Sequence, residues 1–246
     1  MSVDARRARL WERLGLGPIW SRRQSVPGQS EAAGPDEPTA TPAPAGDAVA
    51  AMDWDELERA VAGCTACGLC KTRTRTVFGV GHRTAQWMVI GEGPGAEEDL
   101  RGEPFVGQAG RLLDSILSAA GLGRAASGRA GVYIANVVKC RPPGNRNPEP
   151  DEAARCEPYL RRQIELLQPR LILLLGRVAA QAVLGTDASV AALRGHAHHI
   201  GLAGGKVPVV VTYHPAYLLR NLADKAKVWA DLCLAREIFE QTPERG

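Results

Sequence analysis

Residues 89–107 read VIGEGPGAEEDLRGEPFVG, and the fold can be worked out from them in both directions. The apolar run Trp87-Met88-Val89-Ile90 stops abruptly at Gly91-Glu92-Gly93-Pro94-Gly95. A strand that ends in such a loop leaves backbone N–H groups uncovered, because glycine permits close approach and takes φ > 0 without strain. Glu97, Glu98 and Asp99 follow, and Phe105 comes one loop later. The pattern suits a flat polar ring lying on the phenyl face while backbone donors and a carboxylate read its edge. A plain strand-to-helix turn needs the same glycines, so Gly-Xaa-Gly alone does not decide between the two.

Three more apolar runs read as strands: 132–138 (VYIANVV), 171–175 (LILLL) and 207–213 (VPVVVTY). Helical patterns occupy 108–120, 151–168 and 177–184 between them, and 224–240 closes the chain. Strands that are apolar throughout and alternate with helices predict a parallel sheet covered on both faces. The expected fold is therefore a three-layer α/β/α arrangement around a four-stranded, mainly parallel sheet. Ligands of such sheets bind beyond the carboxyl ends of the strands. Those ends carry the Gly91–Gly95 loop, then Asn136 with the segment Cys140-Arg141-Pro142-Pro143-Gly144-Asn145-Arg146, then Gly176-Arg177. The last carries His214-Pro215-Ala216-Tyr217-Leu218-Leu219-Arg220-Asn221. Several polar groups are thus expected to converge on one edge.

At 246 residues the chain suits one compact domain with an appendage. Residues 51–246 are the expected domain, with a helix over Asp53–Ala62. Residues 25–50 are Pro- and Ala-rich with little to bury, and read as a disordered linker. Residues 1–24 set six arginines against Asp4 and Glu12, with Leu10, Trp11, Leu14 and Trp20 between them. They read as an arm that a protein partner could hold. A net charge of +3 says little about a polyanionic partner, so the placement of the cations carries the argument. There is no eighteen-residue apolar run, so no membrane span is expected. The N-terminus lacks the apolar core of a signal peptide, which predicts a cytoplasmic protein with reduced cysteines.

Cys64 and Cys67 form a C-x2-C knuckle, which serves zinc or an iron–sulfur centre equally well. Cys140 follows the second strand and Cys156 lies early in the next helix. Cys70 extends the knuckle to C-x2-C-x2-C. Cys233, among Trp229, Leu232 and Leu234, is expected in the core.

Taken together, GEGPGAEEDLRGEPFVG, VYIANVVKCRPPGNRNPEPDE, the four cysteines and HPAYLLRN resemble the family 4 uracil-DNA glycosylases, over roughly residues 55–240. The resemblance implies a 4Fe–4S cluster on Cys64, Cys67, Cys140 and Cys156 and excision of uracil from single- or double-stranded DNA by a monomer. Cys70 is not a position that the family pattern uses. Phe105 would stack on an extruded uracil, and such stacking is worth about 1–3 kcal/mol. Asn136 offers a donor and an acceptor that match uracil O4 and N3–H, a pattern that cytosine reverses. By resemblance Glu98 stands beside the uracil C5 edge. His214 and the backbone N–H groups of Glu92 and Gly93 would stabilise charge on uracil O2 as the glycosidic bond breaks. Glu92 is the nearest carboxylate for water. Lys71, Arg73, Arg75, Arg141, Arg146 and Arg220 are expected on phosphates, and Leu218 or Leu219 as a wedge in the vacated stack. His82, His196, His198 and His199 read as surface residues.

Three other readings compete. A covalent uracil-DNA binder would carry a basic, histidine-bearing insertion after the second strand, and RPPGNRNPEPDE has no histidine. A redox carrier accounts for Cys64, Cys67 and Cys70 but not for Phe105, Asn136 or His214. A phosphate-binding module lacks the Lys-Ser/Thr of a P-loop.

Overall fold

The computed structural model describes residues 46–202 and 205–243. The expected arm, and residues 25–45 of the expected linker, lie outside them. The helices are α1 (Gly46–Ala50), α2 (Trp54–Ala62), α3 (Ala96–Arg101), α4 (Gln108–Ala119), α5 (Pro150–Leu167), α6 (Arg177–Leu184), α7 (Val190–Leu193), α8 (Pro215–Leu218) and α9 (Lys225–Gln241). The strands are β1 (Trp87–Gly91), β2 (Val132–Asn136), β3 (Leu171–Leu175), β4 (Ala197–Leu202) and β5 (Gly205–Thr212).

The sheet runs in the order β2-β1-β3-β5-β4, parallel except for the β4–β5 pair. Its strands alternate between two cores. Met88, Ile90, Ile172, Leu174, Val209 and Val211 face one side, where Leu160 and Ile164 of α5 and Ala179 and Ala180 of α6 cover them. Trp87, Val89, Leu171, Leu173, Leu175 and Val210 face the other, under Leu113 and Leu117 of α4 and Leu232 and Phe239 of α9. Each such aliphatic side chain contributes roughly 1.5–3 kcal/mol when fully buried. Three layers result, as the all-apolar strands predict.

Two expectations need correction. The sheet has five strands, not four. β4 reads AHHIGL and alternates exposed with half-buried positions, because an antiparallel edge strand shows one face to water. A search for all-apolar runs passes over it. Residues 46–50, assigned to the linker, instead form α1. One valine decides this, for Val49 is buried against Leu57, Val61, Phe78 and Tyr159. The start of α2 follows its sequence, since Asp53 and Glu56 cap each other's backbone N–H groups in a capping box.

Because β1, β2, β3 and β5 are parallel, their carboxyl ends share one edge. Gly91 stands opposite Asn136 and Leu175 opposite Thr212, two residues before His214.

Candidate active site and thiol pocket

A cleft of about 450 Å³ opens at this edge, lined by Glu92, Gly93, Glu98, Phe105, Asn136 and His214 and, further out, Asn145, Arg146 and Arg220. The base-binding and catalytic residues expected from sequence therefore meet in one place. Gly91 lets them do so. A Cβ there would come within 2.5 Å of both Asn136 Oδ1 and the Phe105 ring.

Phe105 is buried and sits at φ 55°, in the left-handed region that a non-glycine residue rarely adopts. Its surroundings hold it there. Glu98 Oε1 accepts from the Val106 and Gly107 N–H groups at 3.0 Å each, and Oε2 accepts from Gly95 N–H at 3.1 Å. Arg124 donates to the carbonyls of Pro104 (2.8 Å) and Phe105 (3.0 Å). Gly110 makes room for the Phe105 carbonyl, which any Cβ at that position would strike. Glu98 thus lines the cleft, but its carboxylate is committed to holding the phenylalanine loop.

Asn136 is 2% exposed, and its Oδ1 has no hydrogen-bond partner among the described residues. A buried polar atom left unpaired costs about 1–3 kcal/mol, a cost that a donor entering the cleft would relieve. His214 Nδ1 accepts from Ala216 N–H at 3.1 Å, which leaves the imidazole proton on Nε2. Burial pushes its pKa down to about 4, with Glu98 pulling it up and Arg220 pushing it further down. At neutral pH the ring is therefore uncharged, and it lies 5.5 Å from the Phe105 ring. Burial also raises the Glu92 carboxyl above its ordinary range, opposed by Arg177. Unlike Glu98, the Glu92 carboxylate accepts no hydrogen bond from the described residues.

On the other side of β2, Cys64, Cys67, Cys70, Cys140 and Cys156 line a second pocket, walled by Val61, Leu69, Val138 and Tyr159. Burial raises the Cys67 and Cys140 thiols and pushes Cys156 up to about 12, with Lys139 opposing the shift at Cys156. Donors face these sulfurs: Arg73 Nη1 to Cys140 Sγ (3.1 Å), Lys139 N–H to Cys156 Sγ (3.3 Å), and the Leu69 backbone N–H, which opposes the upward shift at Cys67. Among the described residues no group of three or more His, Cys, Asp or Glu side chains is placed to hold a metal ion.

Several expectations shift here. Arg73 turns into the thiol pocket and not toward an outer surface. Leu218 is buried and cannot act as a wedge without leaving the core, whereas Leu219 is half-buried. Arg146 is exposed, but Glu152 engages its guanidinium at 2.7 and 2.8 Å, and Arg141 donates to Asn145 Oδ1 at 2.7 Å. Arg220 is exposed at the cleft mouth. Cys233 is exposed on α9, because it faces away from the Leu232 and Ala235 stripe that packs on the sheet. Sequence reasoning missed Arg124, Gly110 and Lys139, which act through main-chain contacts that no local motif announces, and it placed Arg177 at the right edge without pairing it with Glu92.

The Uracil DNA glycosylase superfamily model matches residues 78–233. A type-4 uracil-DNA glycosylase of Archaeoglobus fulgidus is 43% identical over 169 residues, covering 67% of this chain and 82% of that protein. A type-4 uracil-DNA glycosylase of Pyrobaculum aerophilum is 41% identical over 187 residues, 74% of this chain and 93% of its own length. A type-5 uracil-DNA glycosylase of the same organism is 35% identical over 151 residues, 57% of this chain and 66% of its own length. The chain belongs to the uracil-DNA glycosylase superfamily and, within it, to the type-4 uracil-DNA glycosylases.

Proposed function

We propose that this chain hydrolyses the N-glycosidic bond of uracil in DNA, the first step of base excision repair. The observation that carries the reading is the buried Asn136 amide, its Oδ1 without a partner among the described residues, set in a cleft with a fixed phenyl ring and a neutral histidine. A base inside a duplex cannot reach such a cleft, so the nucleotide must be extruded into it. Phe105 stacks on the extruded ring. Asn136 pairs with its O4/N3–H edge, and the reversed pattern of cytosine leaves buried groups unpaired, the situation that gives strong discrimination. Bond cleavage leaves negative charge on uracil O2. A neutral His214 with its proton on Nε2, and the backbone N–H groups of Glu92 and Gly93, donate to that charge without first giving up a proton. Glu92, its carboxylate unengaged and its pKa raised, orients and deprotonates water. Glu98 contributes by holding the Phe105 loop at the C5 edge of the ring.

Cys64, Cys67, Cys140 and Cys156 are proposed to hold a 4Fe–4S cluster. Their convergence on one apolar-walled pocket supports this. When bound, the cluster supplies a cross-link between the loop after α2, the segment after β2, and α5. Arg220, Arg141 and Arg146 would meet phosphates, with Leu219 in the vacated stack. No described helix is long and apolar enough to cross a membrane; a monomer working in the reducing cytoplasm suits the thiol ligands. The arm and linker are proposed to be dispensable for catalysis.

The test uses two matched labelled oligonucleotides, one with uracil and one with thymine at the same position, followed by alkaline cleavage. Cutting at uracil alone is expected. No cutting by iron-loaded protein would overturn the reading.

A further inference from the structure

Lys139 touches both sites. It is 1% exposed, among the most deeply buried large side chains in the molecule. Its Nζ donates to the Asn136 carbonyl (2.8 Å) and to Gln163 Oε1 (2.6 Å). Gln163 is itself fully buried and donates onward to the Phe78 carbonyl and the Tyr133 hydroxyl, so the acceptor cannot swing away. Lys139 also lines the thiol pocket, and its backbone N–H donates to Cys156 Sγ. Among the described residues no carboxylate pairs with its ammonium, and the pocket it lines is the one that holds the Cys140 and Cys156 sulfurs.

A buried ammonium needs compensation, and two neutral acceptors do not supply an opposite charge. Metal-bound thiolates do. We propose that Lys139 is a positioning residue that couples the uracil-reading Asn136 to the thiolate centre. The thiolates hold the ammonium in place, and the ammonium fixes the Asn136 main chain through its carbonyl. This rests on the cluster assignment made above. Coupling of this kind is reciprocal: a loosened centre weakens uracil binding, and bound uracil steadies the centre by the same factor.

The experiment uses the full chain as iron-loaded wild type, Lys139→Met and Lys139→Gln. Iron content and visible absorption of the wild type come first. Protein without iron would overturn the cluster assignment and this inference with it. With iron present, K139M is expected to bleach in a chelator about tenfold faster, the usual scale for an outer partner of a metal ligand. Its cluster should have a more negative midpoint potential, and its affinity for free uracil should fall about tenfold. K139Q keeps a donor toward Asn136 but no charge, so it should bleach like K139M while retaining most of the uracil affinity. Iron-loaded variants that match wild type in bleaching, potential and uracil affinity would overturn the coupling alone. If neither variant folds, wild-type bleaching with free uracil or cytosine decides: uracil should slow it several-fold and cytosine should not. Equal rates would refute the proposal.

Discussion

The cleft and the thiol pocket lie on either side of one short segment, residues 136–140, and both are governed by desolvation. In the cleft, burial strips His214 of its positive charge, and the Ala216 N–H bond to Nδ1 leaves the neutral ring with its one proton on Nε2. In the pocket, burial keeps Cys67, Cys140 and Cys156 protonated, and the neutral thiol is the form that metal binding must remove. The same physical force therefore favours the neutral form in both sites. A cation centre can displace the thiol protons because its attraction for thiolate outweighs their burial cost. Nothing comparable is required of His214.

The comparison breaks most visibly at His214. His214→Ala should lower kcat about 10²–10³-fold, the usual effect of removing one preorganised donor, while uracil-DNA binding changes far less. Single-turnover kinetics separate the two, and a loss confined to binding would remove the electrostatic role. Asn136→Asp tests the same cleft from its recognition side. Excision of uracil should fall and rejection of cytosine should weaken, measured as the ratio of kcat/KM on matched substrates.

The acid side of the pH profile sharpens the contrast. Glu92 protonates above the ordinary carboxylate range, so activity should begin to fall there, and Glu92→Gln should remove that limb. A second limb near pH 4 belongs to His214. Its folded pKa lies below the ordinary 6.5, so the unfolded chain takes up a proton that the folded one refuses between these values. The stability this histidine contributes is complete above about pH 6.5 and is lost as pH falls toward 4.

Cys140→Ala or Cys156→Ala probes the pocket and should abolish iron retention. Losing a cross-link costs about 2–4 kcal/mol, which at this chain length lowers the unfolding midpoint by roughly 5–15 °C. Cys233→Ser, outside the pocket on the exposed face of α9, should change stability by less than about 0.5 kcal/mol. Smaller again, and confined to duplex DNA, is the effect expected of Leu219→Ala on excision, with single-stranded substrate cut as before.

The elements legible in the sequence were those whose cause is local. Apolar runs at 87–90, 132–138, 171–175 and 207–213 became four parallel strands, and Asp53 with Glu56 marked a helix start. The parallel rule then brought Glu92, Asn136 and His214 to one edge before any side chain was placed. Where local composition and packing disagree, the reading failed. β4 is polar on its open face, α1 depends on a single buried valine, and Cys233 has apolar neighbours in sequence but faces away from the sheet.

What the sequence determined by itself was the four parallel strands, the edge on which the site forms, and the identity of the side chains that meet there, because apolar runs and their alternation with helices are local properties of the chain. Tertiary structure alone decided how those side chains are held and charged. Glu98 is spent on backbone N–H groups, Phe105 is locked at φ 55° by Arg124 and Gly110, Arg73 points at a sulfur, and Lys139 joins two sites through a carbonyl. Desolvation and hydrogen-bond partnership depend on everything packed around a group, and residues far apart in the chain supply that packing.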